Sequence, residues 1–354
     1  MSSILKSLGL STFHIQIINE SNISLNIIGR VIRESKKKYI VRTENGTISA
    51  QISGSLRHSA KNRSDFPAVG DWVQIKNINT QSPTIQKIIE RKSIIERQAI
   101  GRFGKKQTIA TNVDVAFIMQ DVSNDFNLNR LDRFLAICYS SNVEPVIILT
   151  KIDLLPEQDL ADAITQLQNR FNNVQVLKLS NKSLVGFTIV KDFIKTGKTY
   201  CFIGASGAGK SSLINNLIGE EVMLTKALSE KNQKGQHTTS HRELFILENS
   251  GILIDTPGMR ELGITESHKS LESTFEKIFN IAKDCKFSDC SHINEPKCAV
   301  ILAIEQKQLE HSYLANFHKM KQEQAQFNLS KKGLKDKDAD KKMKIESSYK
   351  KKSR

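Results

Sequence analysis

The sequence predicts a multidomain chain: an N-terminal β-barrel, a central α/β domain on a parallel sheet, and a C-terminal helical domain that holds a metal. Three observations predict it. Short apolar runs broken by Asn-Gly and Ser-Gly turns occupy the N-terminal part. From Val113 to Asp255, fully apolar runs alternate with helically spaced ones, the pattern of a sheet covered on both faces. Farther on, Cys285, Cys290, His292 and Cys298 crowd into fourteen positions within a helical pattern.

The N-terminal part reads as strands at Ile23–Ile28, Tyr39–Arg42, Thr47–Ile52 and Asp71–Ile75, and Asn45-Gly46 is a hairpin turn. Short strands at this spacing suit a small barrel, and an OB-type barrel is a nucleic-acid platform. A domain of residues 12–98 is expected, then a Gly-containing basic linker over 99–110. The α/β domain is expected over 111–270, with strands at Val113–Met119, Val146–Leu149, Val174–Leu177, Thr199–Ile203 and Ile252–Asp255. Helices are expected at Asn129–Ser140, Asp159–Phe171 and Ser211–Ile218. The helical metal domain is expected over 271–325. A basic tail of 326–354 follows, and its residues 331–354 carry ten Lys and one Arg against four acids, a net of +7. So few apolar residues predict disorder there.

The 354 residues carry a formal net charge of +15 and are 39% hydrophobic. Such a surplus favours a polyanionic partner, nucleic acid first. No run reaches the roughly 18 apolar residues of a membrane span, and Met1–Leu10 has no secretory pattern. A soluble, cytoplasmic chain without a membrane partner is expected.

The chemistry is carried by four motifs. Gly204-Ala205-Ser206-Gly207-Ala208-Gly209-Lys210-Ser211, followed by Ser212, fits the phosphate-loop pattern and lies between an apolar strand and a helix. Backbone amides and the helix N-terminus would cradle phosphates, Lys210 would reach the β- and γ-phosphates, and Ser211 would ligate Mg²⁺. Thr150-Lys151-Ile152-Asp153 ends a buried strand. The Asp153 carboxylate can accept from guanine N1 and N2, which adenine cannot match, so GTP is favoured over ATP; Lys151 would lie along the base. Thr150 stands where Asn is usual. Leu179-Ser180-Asn181-Lys182 is a poor match to a second base-contacting loop. After the phosphate loop come Gln236-His237-Thr238-Thr239, a switch-like segment, and Asp255-Thr256-Pro257-Gly258. Thr239, with Thr238 as the alternative, would sense Mg²⁺ and the γ-phosphate. The Asp255 carboxylate would support Mg²⁺ without ligating it directly, and Gly258 would offer its amide to the γ-phosphate. Met259 stands where many GTPases hold a water-positioning Gln. His237 is therefore a candidate for orienting water, with an exposed switch histidine as the plain alternative. The base-reading motif precedes the phosphate loop, the reverse of the ordinary order, so the domain reads as a circularly permuted GTPase.

Cys285, Cys290, His292 and Cys298 supply three thiolates and an imidazole, a closed tetrahedral set for one structural zinc. His311 and His318 read as surface or core residues, and Cys138 and Cys201 as core.

The segments FIGASGAGKSSLIN, KGQHTTSHREL, IDTPGMRELGI and CKFSDCSHINEPKCAV closely resemble the ribosome small-subunit-dependent GTPases of the RsgA/YjeQ type. That resemblance implies an OB-fold, a permuted GTPase domain and a zinc-binding helical domain. It also implies rRNA binding on the small ribosomal subunit and a role in its late maturation, with GTP hydrolysis stimulated by that subunit and coupled to release. A monomer cycling between GTP and GDP is expected. Two other readings remain: an RNA-binding scaffold that nucleotide merely stabilises, and an ATP-dependent enzyme on the same loop.

Overall fold

The computed structural model describes residues 3–35, 38–98, 106–123, 125–219, 242–255 and 268–330. The chain divides into two compact units, one of residues 1–96 with 108–261 and one of residues 97–107 with 262–354.

The first unit opens with two short helices, α1 (Ser3–Ser7) and α2 (Thr12–Glu20), which the apolar pattern did not signal. Strands β1 (Ile28–Ser35), β2 (Lys38–Thr43), β3 (Gly46–Ile52), β4 (Trp72–Lys76) and β5 (Thr84–Ile88) close a barrel in the order β1-β2-β3-β5-β4. The barrel closes where Gly29 of β1 meets Val73 of β4, and this is the expected OB-type barrel. The run at Ile23–Ile28 is not a strand: Leu25–Ile27 forms a 3₁₀ turn and β1 begins at Ile28. Val31, Val41, Ala50, Val73, Ile75 and Ile85 fill the barrel. A second cluster joins Leu5, Leu8 and Ile18 of the N-terminal segment to Ile28, Trp72 and Ile89. The apolar residues of α1 and α2 are thus spent on the barrel; a helix this short holds only by such packing.

β6 (Ile94–Gln98) and β7 (Lys106–Thr111) form a two-stranded sheet, so the stretch expected as a linker ends in a strand. Then come β8 (Val115–Asp121), α4 (Leu128–Ser140), β9 (Glu144–Thr150), α5 (Glu157–Arg170), β10 (Gln175–Leu179), α6 (Phe187–Phe193), β11 (Thr199–Gly204), α7 (Lys210–Ile218), β12 (Leu244–Ile246) and β13 (Ile252–Ile254), while α3 (Gly54–Ser59) lies earlier, between β3 and β4. The sheet order is β10-β9-β8-β11-β13-β12, parallel except for β12 at the edge. Every residue of β8 and β11 is buried, as central strands of a sheet covered on both faces require. The sequence enters the sheet at β8 and reaches its other half only at β11.

Arg30 joins the barrel to this sheet. It is fully buried, and its guanidinium donates to Leu8 O (2.6 Å), Gly70 O (3.2 Å), Asn112 O (3.3 Å) and Thr199 Oγ1 (3.0 Å). Burial pulls its pKa down to about 10, which still leaves it charged at neutral pH. Four oxygen acceptors from four separate segments make this cation a knot between β1, the N-terminal segment and the start of β11.

Beside it, His14 is buried. Asn112 Oδ1 accepts from the Lys92 amide (2.8 Å), so it acts as acceptor for His14 Nε2 as well (3.1 Å), and Nδ1 faces the Ser11 hydroxyl (2.8 Å). Desolvation, with Arg30 and Lys92 nearby, lowers its pKa to about 4 against the partial offset of the Asn112 bond and Asp114. Because the folded pKa lies below the unfolded one, the unfolded chain binds the proton first. Stability is whole above about pH 6.5 and falls between pH 6.5 and 4, by up to about 3 kcal/mol. His14→Gln should flatten the decline of Tm over that range; an unchanged slope would exclude His14 as its source.

The second unit holds α8 (His268–Thr274), α9 (Glu276–Ala282), α10 (Ala299–Glu305) and α11, residues 311–330. Phe275, Phe279, Tyr313 and Phe317 pack ring to ring, and Tyr313 donates its hydroxyl to Thr274 O (2.9 Å). No helix among the described residues is long and apolar enough to cross a membrane.

Candidate functional site

In a parallel sheet the strands end on one edge, and ligands bind there. The C-terminal ends of β8, β9, β10, β11 and β13 carry Asp121, Thr150, Ser180, the loop from Gly204 and Asp255 in turn. Five segments far apart in sequence therefore converge on one rim.

The loop between β11 and α7 is shaped by glycine. Gly204 has φ +152° with Met119 O 2.5 Å from where a Cβ would stand, so a side chain cannot fit. Gly207 and Gly209 take φ of +81° and +87°, the left-handed conformation that turns successive amides to one side. Ala208 is buried, Ser206 is exposed, and Ala205, Ser211 and Ser212 are half-buried. The Lys210 ammonium donates to Gly204 O (2.8 Å) and Ala205 O (2.6 Å), which folds it back over the loop's own concavity.

The base-side segment touches this loop. Thr150 is fully buried, and its hydroxyl donates to Ala208 O at 2.9 Å. Losing the amide usual at this position has not cost the tether to the phosphate loop. Lys151 sits at φ +61° and its ammonium meets Asp121 at 2.6 Å. Burial disfavours the ionised Asp121, but Lys151 and Ser123 outweigh it and hold the carboxyl below its ordinary value. The backbone kink at Lys151 opens a short 3₁₀ turn, Ile152–Leu154, on which Asp153 is exposed.

Two residues of this rim escaped the sequence reading. The expected strand Val113–Met119 stops two residues short of Asp121, the last residue of β8. Leu179-Ser180-Asn181-Lys182 is a poor match to a base-contacting motif, yet Asn181 Nδ2 donates to Gly209 O at 3.0 Å. The signal available was position: both lie at the C-terminal ends of strands of a parallel sheet.

Asp255 is buried, directly follows β13, and donates its amide to Glu243 O (3.0 Å). His237, Thr238, Thr239, Gly258 and Met259 lie outside the described residues.

In the second unit, the ligand atoms of Cys285, Cys290, His292 and Cys298 all lie within 4.8 Å of one another. Cys285 Sγ is 3.9 Å from Cys298 Sγ and 3.7 Å from His292 Nδ1, which is 3.4 Å from Cys298 Sγ. Bonds of about 2.3 Å to sulfur and 2.0 Å to nitrogen give tetrahedral edges of about 3.5–3.8 Å. The donor set fits such an ion and is far too open for a disulfide. Between these ligands the Glu295 carboxylate accepts from the amides of Ser291 (2.8 Å), Ile293 (3.0 Å) and Asn294 (3.2 Å) and from the Ser291 hydroxyl. Those bonds hold its pKa down to about 2. His311 and His318 are not members of the cluster; Cys138 and Cys201 are buried as expected.

A glycine-rich strand–loop–helix unit at the centre of a parallel sheet, with its base-side strands earlier in the chain, defines a circularly permuted GTPase domain, here joined to an OB-type barrel. Comparison with known proteins agrees. The model of the RsgA GTPase family matches residues 88–265. The small ribosomal subunit biogenesis GTPase RsgA 2 of Lactiplantibacillus plantarum is 38% identical over 308 residues, 87% of this chain and 86% of that one. The corresponding RsgA of Methanosarcina acetivorans is 38% identical over 300 residues, 84% of this chain and 80% of that one. Among solved structures, YjeQ from Thermotoga maritima superposes with a TM-score of 0.63 at 26% identity, covering 84% of this chain and 98% of that one. YloQ, described as a circularly permuted GTPase, gives 0.60 at 27% identity, covering 84% and 94%. The chain belongs to the RsgA GTPase family, and its enzymatic class is GTP hydrolase.

Proposed function

We propose that this chain is a small-subunit assembly factor that binds rRNA on the small ribosomal subunit late in its maturation, is stimulated there to hydrolyse GTP, and leaves as the GDP form. The observation that supports this most is the convergence of base-side and phosphate-side segments on one rim, in a chain whose relatives are named for small-subunit biogenesis. The net charge of +15 suits an rRNA partner, and affinity should fall steeply with salt.

In this reading Asp153 accepts from guanine N1 and N2, and Lys151, braced by Asp121, flanks the base. The amides from Gly204 to Ser212 surround the phosphates. Lys210 leaves its two carbonyl acceptors for the β- and γ-phosphates and neutralises charge gathering on them. Ser211 and Thr239 would hold Mg²⁺, with Asp255 behind them; that ion supplies further charge neutralisation. Gly258 donates its amide to the γ-phosphate, and His237 orients the attacking water once the subunit has positioned it. Zinc on Cys285, Cys290, His292 and Cys298 has a structural role. The working domain bounds are 12–98, 111–270 and 271–325, with 99–110 joining the first two and 326–354 as a basic tail. The protein acts as a cytoplasmic monomer.

GTP turnover measured with and without purified small subunits tests this reading; stimulation specific to small subunits and to GTP is expected.

A further inference from the structure

The loop between β11 and α7 is held from outside at two successive carbonyls. Thr150 Oγ1 donates to Ala208 O (2.9 Å), and Asn181 Nδ2 donates to Gly209 O (3.0 Å). Gly209 O also accepts the first helical bond of α7, from Leu213 N at 3.0 Å, so Asn181 occupies its second lone pair. The turn that presents Asn181 is itself fixed. Buried Ser180 accepts on its hydroxyl from the amides of Lys182 (3.3 Å) and Ser183 (3.0 Å), and Asn181 O accepts from Asn216 of α7 (3.3 Å).

This placement has a cost. Asn181 Oδ1 is buried and has no hydrogen-bond partner among the described residues. Flipping the amide would set that oxygen against Gly209 O, oxygen to oxygen, so the carbonyl fixes the orientation. An unpaired buried acceptor is destabilising. Alanine would avoid the penalty at the same backbone position, so the amide is a poor choice for stability alone.

What it secures is the direction of two peptide planes. The described chain has no cis peptide bonds, and in a trans peptide the C=O and the following N–H point opposite ways. With Ala208 C=O turned to Thr150 and Gly209 C=O turned to Leu213 and Asn181, the amides of Gly209 and Lys210 face away from those partners. Left-handed Gly207 and Gly209 bring such amides into one concave nest. Contact is tight, since a Cβ on Gly209 would lie 2.7 Å from Asn181 Nδ2.

We propose that Asn181 is a positioning residue of the phosphate nest, sharing with Thr150 the task of aiming the Gly209 and Lys210 amides at the β-phosphate of a guanine nucleotide. The base-side loops then prearrange the phosphate site and do not only read the base. This rests on the nucleotide-binding reading above.

The test is equilibrium competition on the full chain against a fluorescent GDP, using GDP, GMP and IDP as competitors, with Tm measured alongside. Without the Asn181 bond the two amides are held less closely in the binding geometry, so Asn181→Ala should weaken GDP about 3- to 10-fold. GMP, which has no β-phosphate, should be nearly unaffected, and the GDP-to-IDP ratio, which reports base reading, should not move. Tm should hold or rise, because the orphaned oxygen is gone. Asn181→Asp, of the same shape but with an acceptor facing Gly209 O, should weaken GDP further. Partial unfolding lowers the stoichiometry of binding and leaves these affinity ratios intact. Unchanged GDP affinity, or equal losses for GDP and GMP, would overturn the proposal while leaving the nucleotide reading in place. Failure of the unaltered chain to bind GDP would overturn both.

Discussion

Asp153→Asn is expected to convert a guanine-nucleotide binder into a xanthine-nucleotide binder. The carboxylate sits on an exposed turn just past β9, next to Lys151, whose left-handed backbone starts that turn. From there it would accept from guanine N1–H and the N2 amino group. Charge-assisted hydrogen bonds contribute about 1.5–3 kcal/mol each, so making the N1 bond neutral and setting an amide donor against the N2 amino group should weaken GTP on the order of 100-fold. Asparagine offers one acceptor and one donor, which match N1–H and the 2-oxo group of xanthine. XTP should therefore bind and turn over better than GTP in the variant. Competition binding with GTP, XTP and ATP reads this directly. A variant that keeps its preference for GTP over XTP would remove Asp153 from base recognition.

Metal removal should have the second large effect, confined to the second unit. From Cys285 to Cys298 the chain has no helix or strand, so little but the cluster and the Glu295 bonds fixes it. Structural zinc contributes about 10–16 kcal/mol of apparent binding energy in small domains, far more than this loop could draw from its own contacts. Cys290→Ser, or a strong chelator, should release one zinc per chain and open residues 285–298 to protease. The Phe275–Tyr313–Phe317 packing should keep the helices associated. GDP binding should persist, because the nucleotide rim lies in the other unit. A metal-free chain with an intact, protease-resistant loop would show that the four side chains do not depend on an ion.

Much of this architecture was legible because burial writes itself as apolar runs. β8, β9 and β11 are central strands, and their sequences are almost wholly apolar, so their positions were read within a residue or two. The barrel was legible through its turns, above all Asn45-Gly46, which joins β2 to β3. β5 was not, because Thr84-Ile85-Gln86-Lys87-Ile88 has a polar stretch and is held by pairing with β3 and β4. α1 and α2 were not either: their apolar residues make sense only against Ile28 and Trp72, which are distant in sequence.

At the site, glycine spacing identified the phosphate loop, since only glycine tolerates its backbone. The second role of Thr150 could not be read, because a hydroxyl reaching Ala208 O, fifty-eight positions away, is a tertiary fact. Asn181 was passed over for the same reason. Its segment is a poor match to a base-contacting pattern, whereas its contact depends on how close Gly209 lets a neighbour come.

We propose above that the small ribosomal subunit governs nucleotide hydrolysis in this chain. GTP turnover with purified small subunits, against large subunits and ATP as controls, tests it most directly. Turnover should be slow alone, as Met259 in place of a water-positioning Gln implies, and strongly stimulated by small subunits with GTP only. Turnover indifferent to small subunits, or raised equally by large ones, would contradict it.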